Sequence, residues 1–161
     1  MTDPSPGDPV VSLSHVAEEL TARFGELRSF LSRRTGEVLH FEPGAFAAAE
    51  EGRLDATLEH GGREEIEAAV RILEAPQDWV ELPGEDDFDE WRVMERFARA
   101  LDDEPLRREL LDAISGRGAF RFFRSVVRRV VREREWFDFR DGAFGEHVAD
   151  WLRAEGVAYR E

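Results

Sequence analysis

The stretch from Ala119 to Val131 leaves little choice of structure. Phe120, Phe123, Val127, Val130 and Val131 recur at helical spacing, and at 100° per residue they fall within an arc of about 100°. Arg117, Arg121, Arg124, Arg128 and Arg132 fall within a separate arc of about 80°. A helix with this pattern buries one flank and holds a ridge of arginines clear of the core. Between Arg117 and Arg134 seven arginines stand against one acid, Glu133. That is a local charge of +6 in a chain of net charge −14, so the remainder carries −20.

Two readings of such a stripe follow from its chemistry. Each guanidinium is a planar fork of donors suited to carboxylate or phosphate, so an open ridge is a docking surface for anions. The neighbouring segments, however, offer Asp86, Asp89, Glu95, Asp102, Glu104, Glu146 and Asp150, and a ridge packed beside them is a structural ion-pair network. Ahead of the ridge, Gly116 and Gly118 flank Arg117 where the helix begins. The free N–H groups of a first turn make such a corner receptive to anions.

Composition removes several classes of chemistry. The 161 residues contain no cysteine and no lysine, since all 22 basic residues are arginine. Thiol nucleophiles, disulfides and cysteine-bearing zinc sites are therefore excluded. Schiff-base catalysis and lysine-dependent phosphate loops are excluded as well. A strongly acidic chain repels nucleic acid unless one patch overrides the rest. No apolar run is long enough to suggest a membrane span, and no export signal is legible at the start, so a cytoplasmic location is expected.

Along the chain, residues 1–11 read as a disordered tail rich in Pro and Asp, followed by a single domain over residues 12–161. Val16, Leu20, Phe24 and Leu27 predict a first helix over about residues 15–25 behind a Ser14 cap. Phe30–Arg33 and Glu37–Phe41 read as two strands around a turn at Gly36, closed by Pro43 and Gly44. A short alanine-rich helix runs from Ala45 to Glu51, with Gly52 at its end. Ile66, Val70, Ile72 and Leu73 mark another helix, stopped by Pro76, and Trp79–Leu82 is a strand fit to join the hairpin. From Asp87, paired with Glu90 at capping-box spacing, the chain reads as helical. Its helices carry Phe88 to Leu101, Leu106 to Ile114, the arginine ridge and, after an aromatic link from Trp136 to Phe139, Phe144 to Leu152. The expected fold is α+β, a small antiparallel sheet from the N-terminal half packed against a mainly helical C-terminal layer.

Other candidate chemistry is thin. Gly84 to Glu90 is the densest acidic run and has oxygen ligands for a divalent cation, but lacks EF-hand order. Acids gathered at a helix N-terminus to match its dipole explain it better. His15, His40, His60 and His147 are far apart, with no i, i+4 pair for a metal. Phe122 and Val126 lie away from the expected apolar flank, so each requires a second burial partner or an exposed role.

Several blocks together resemble the bacterial Uncharacterised Protein Family 0158. They are Thr35-Gly36-Glu37-Val38, Trp79-Val80-Glu81-Leu82-Pro83, Met94-Glu95-Arg96-Phe97, Gly116 to Arg124, Trp136 to Asp141, Trp151-Leu152 and Gly156-Val157. The resemblance covers about residues 28–158, and its most specific part is the Gly-Arg-Gly-Ala-Phe block followed by the tryptophan block. The family usually carries arginine where Phe122 stands here. The resemblance implies no activity, substrate or cofactor.

The residues thus lead to a non-enzymatic binding module with no cofactor, metal or catalytic residue assigned. Its partner would be an acidic protein or an anionic ligand, held by Gly116, Arg117, Gly118, Arg121, Phe122, Arg124, Arg128 and Arg132. The alternative is a metal-dependent hydrolase or nucleotide-handling enzyme using the acids of Asp86–Glu90, with arginines as phosphate clamps.

Overall fold

A computed structural model describes residues 7, 9–22, 26–84, 87–130 and 132–161. Most of the expected tail (residues 1–6 and Asp8), Phe24 of the first helix, Asp86 of the acidic run and Val131 of the apolar flank lie outside the described residues. The fold is α+β, with a three-stranded antiparallel sheet in the N-terminal half and a mostly helical C-terminal region. The chain divides into two compact units. One comprises residues 1–83 and 148–161, the other residues 84–147.

In the first unit, β1 (Val11–Ser12) runs directly into α1 (Leu13–Ala22). Val11, placed in the tail from sequence, is 1% exposed and pairs in parallel with Tyr159 of β5 (Tyr159–Arg160). The helix starts earlier than its sequence suggested because Ser12, not Ser14, meets its first turn. The Ser12 hydroxyl accepts from the His15 N–H at 3.3 Å.

The expected hairpin forms from β2 (Arg28–Ser32) and β3 (Val38–Phe41), in antiparallel register with Phe30 opposite Leu39. Gly36 turns it with φ 76°, backed by the Val10 carbonyl, so a side chain there meets both strain and backbone. The hairpin ends just before Pro43 and Gly44, as expected. These two residues open α2 (Pro43–Glu50), because proline's fixed φ suits a first helical turn. After α3 (Arg63–Glu74) and one 3-10 turn at Pro76–Asp78, β4 (Trp79–Glu81) pairs antiparallel with β2. The sheet order is therefore β3-β2-β4. Phe30 and Phe41 of the sheet pack with Ala45 and Phe46 of α2 and Ala69 and Ile72 of α3.

The second unit is helical. α4 (Glu90–Ala100) is capped by Asp89, whose carboxylate accepts from the Arg92 N–H at 3.1 Å. The expected Asp87 cap is thus displaced by two residues, and Asp87 instead accepts from the Gly84 N–H at 2.7 Å. Asp103 caps α5 (Glu104–Ala113), and the arginine segment forms α6 (Ala119–Arg129). The aromatic stretch Trp136–Phe139 is not a link between helices. It lies inside α7 (Glu133–Ala154), a 22-residue helix that contributes to this unit as far as His147. The reason is spacing: Trp136, Phe139 and Ala143 share one face, so continuing the helix puts them in the core with Phe97 and Phe123. Rings of Phe97, Phe123, Trp136 and Phe139 meet edge to face, with Phe123 and Trp136 centroids 4.7 Å apart.

Candidate functional site

The side chains of α6 divide as the periodicity of its sequence dictates. Ala119, Phe123 and Val127 are buried, and Val126 and Val130 pack partly against the same core. Phe120 departs from this pattern. By angle it belongs beside Val127, but it stands in the first turn, about 10 Å along the axis from that residue. There it is 49% exposed. Phe122 takes the exposed role rather than a second burial partner, at 51%.

On the open side, Phe120, Arg121, Arg124, Ser125 and Arg128 line a shallow groove of about 580 Å³. Arg117, Arg121 and Arg124 are exposed and have no carboxylate oxygen within 4.0 Å among the described residues. Two of them rest on ring faces. The Arg121 guanidinium lies 5.9 Å from the Phe122 centroid and that of Arg124 lies 5.9 Å from Phe137. Such stacking restrains the long side chains and leaves the donor edges of the fork open.

Arg134 is likewise exposed without a carboxylate partner among the described residues, but the other three basic residues of the segment behave otherwise. Arg128 pairs with Glu133 at 3.0 Å, Arg132 with Glu135 at 3.4 Å, and Arg129 with Glu109. Both readings of the stripe therefore apply to different parts of it, with its C-terminal end tied internally and its N-terminal end open. The Arg128–Glu133 pair is 72% and 46% exposed, so it contributes at most about 1 kcal/mol.

The glycines set the approach to the ridge. Gly118 is the N-cap residue of α6 at φ 76°, and no side chain caps the turn. A methyl group there would meet the Phe122 ring at 3.2 Å, so the ring lies directly on this glycine. Phe122 thus covers part of the corner expected to receive anions. Gly116 is exposed, with open space around it.

The comparisons with known proteins found nothing. The chain matches no family model, no curated protein and no solved structure.

Within the acidic run the described carboxylates are engaged locally. Asp87 and Asp89 accept backbone N–H bonds, Asp89 also pairs with Arg92 at 3.2 Å, and Glu90 accepts from Arg140 at 2.6 Å. Among the described residues, the close group of metal-type ligands lies elsewhere. Glu42, Glu59 and His60 each bring a ligand atom within 4.8 Å of the others. The Glu42 carboxylate already accepts from the N–H groups of His60 at 2.8 Å and Gly61 at 2.6 Å, and its own N–H donates to Glu65 at 2.6 Å. Burial alone would push the Glu42 carboxyl up. The Gly61 and His60 N–H groups, with the His60 ring, outweigh that and hold it below the usual carboxylate range. The arrangement clamps the loop that leads into α3.

A second constellation was invisible in the sequence because its members are 10 and more residues apart. The Ser29 hydroxyl lies 2.7 Å from His40 Nδ1, and His40 Nε2 lies 2.6 Å from the Glu19 carboxylate. Its order resembles a hydrolytic triad, but Ser29 is 1% exposed and has no approach for a substrate. It joins α1 to the sheet.

Proposed function

We propose that this chain is a non-enzymatic binding module that docks an acidic protein or an anionic ligand on the arginine ridge of α6. The observation that carries this reading is the state of Arg117, Arg121 and Arg124. They are exposed, without a carboxylate partner among the described residues, beside a groove edged by an exposed phenylalanine. Most of the other described arginines pair with a carboxylate close by, whereas these three gather around the start of α6 without one. The overall charge of −14 supports selectivity, since it repels anions that do not engage the ridge itself.

We also propose membership of Uncharacterised Protein Family 0158, on the sequence blocks given above alone, and a cytoplasmic location. Among the described residues no helix is long and apolar enough to cross a membrane.

The test is binding of fluorescein-labelled poly-glutamate, followed by anisotropy at low salt. Saturable binding is expected, lost in the double variant Arg121→Ala/Arg124→Ala while the melting temperature stays within a degree or two of the parent. A large loss of stability in that variant would show that the ridge holds the fold together and would overturn the reading.

A further inference from the structure

The ridge has a length, a spacing and an apolar border, and these narrow the kind of anion that fits it. We infer that the occupant is a short amphipathic helix of another protein, carrying two acids three or four residues apart and an apolar side chain beside them. This rests on the docking reading above and goes further by naming the partner's chemistry.

Length comes first. Arg121 and Arg124 are separated by about 4.5 Å along the axis of α6, and Arg124 and Arg128 by about 6 Å. The whole ladder covers about 10 Å, and Glu133 already shares its last rung. A partner helix has the same rise per residue. Its acids at i and i+3 or i+4 therefore fall opposite Arg121 and Arg124 when the axes run nearly parallel. An extended strand, with same-face residues about 6.6 Å apart, fits the first interval poorly.

The border supplies the apolar contact. Phe120 stands about 40° from Arg124 on the helix surface and forms one wall of the groove while remaining half exposed. An isolated half-exposed aromatic is common, but one flanking unpaired arginines is a place for an anchor residue, and rings of this kind dominate binding energy at interfaces. Phe122 and Phe137 hold Arg121 and Arg124 by their ring faces. The guanidiniums are thus restrained before the partner arrives, which lowers the ordering cost of association.

Charge selects protein over nucleic acid. Two or three free guanidiniums neutralise only two or three phosphates, and each contributes a salt-dependence slope of only about −0.9. A longer polyanion would extend past the ridge, and the chain outside Arg117–Arg134 carries a net −20. A segment with two carboxylates and an apolar anchor ends where the ridge ends.

The experiment uses the full chain and a labelled 14-residue helical peptide with Glu at i, i+3 and i+7 and Leu one position from the central Glu. Its companions are a scrambled peptide of identical composition with the acids distributed around the helix, and a ten-nucleotide oligothymidylate. Tighter binding of the patterned peptide than of either companion is expected. Arg121→Ala/Arg124→Ala and, separately, Phe120→Ala should each weaken it about tenfold. Should the alanine pair disturb folding, Arg121→Gln/Arg124→Gln keeps the side-chain length and removes the charge. Equal binding of patterned and scrambled peptides, or no effect of Phe120→Ala, overturns the helix assignment and leaves general anion docking intact. Preferential binding of oligothymidylate does the same. Failure of every probe, poly-glutamate included, at low salt removes both inferences.

Discussion

Arg28 of the sheet unit and Arg121 and Arg124 of the helical unit rest on aromatic rings, and they differ in what meets their donor edges. In the sheet unit, Arg28 makes a two-pronged contact with Glu81, at 2.8 and 3.0 Å, while its guanidinium lies 4.6 Å from the Phe46 ring centroid. The Glu81 hydrogen bond leads the effects that hold Arg28 in its charged form more firmly than usual. Glu42 is matched by two backbone N–H groups, and His40 by Ser29 and Glu19. Each of these charges or polar groups fixes one segment against another. In the helical unit, Arg121 and Arg124 likewise rest on aromatic rings, yet their donor edges meet no carboxylate among the described residues. Stacking alone leaves a guanidinium positioned and unneutralised, whereas stacking with a carboxylate makes it part of the scaffold. That distinction is the ground on which the proposed docking residues are set apart from Arg28.

The comparison can be broken most forcefully from beneath the ridge. Phe123 is fully buried among Phe97 and Trp136, so Phe123→Ala should cost about 3–5 kcal/mol. Urea denaturation followed by tryptophan fluorescence should show an early loss of the helical unit. Anion binding should disappear with it, because the ridge depends on its apolar flank for existence.

Glu42→Gln probes the engaged charges. The amide would turn an NH₂ toward a backbone N–H, and several degrees should be lost from the melting temperature. The sign of the pH effect follows from the lowered carboxyl. The stabilisation is fully present above the ordinary glutamate value of 4.5 and is lost as pH falls through the lower folded value. Thermal melts between pH 6 and pH 3 should therefore show the parent and Glu42→Gln converging as acid is added. A constant gap would mean that this carboxylate is not the acid-sensitive group.

Gly118→Ala tests the entrance to the ridge. At φ 76° the substitution should cost about 1–2 kcal/mol, with the Phe122 ring displaced as well. Chemical denaturation gives the cost, and Gly116→Ala, in open space, is the control expected to change little. The smallest effect on stability should come from the ridge itself. Arg121→Ala/Arg124→Ala should lie within about 0.5 kcal/mol of the parent, the opposite of what Glu42→Gln does.

Much of the architecture was legible because it rests on local rules. The hairpin around Gly36, the strand at Trp79 and the helix between Gly62 and Pro76 all carried their own turn chemistry and periodicity. Errors arose where two local signals competed. Asp87 and Asp89 are both acceptable caps, and only the fold shows which of them meets the free N–H groups. Trp136 to Phe139 carries three aromatics around a single Asp138 and suggests a link, yet the core around Phe97 draws it into one long helix. The candidate ridge could be placed by angle alone, but its division into tied and open ends could not, since that depends on how the chain turns from α6 into α7 and brings Glu133 and Glu135 to Arg128 and Arg132.

By itself the sequence determined that α6 has an arginine side and an apolar side, because a fixed rotation per residue leaves no freedom in which side chains share a face. It also determined which chemistries were closed, since no fold restores a missing lysine or cysteine. Tertiary structure alone decided which guanidiniums remain open, that Phe120 is half exposed, and that Ser29, His40 and Glu19 meet. Those outcomes depend on distances between segments remote in the chain, and such distances are set by packing rather than by spacing along the backbone.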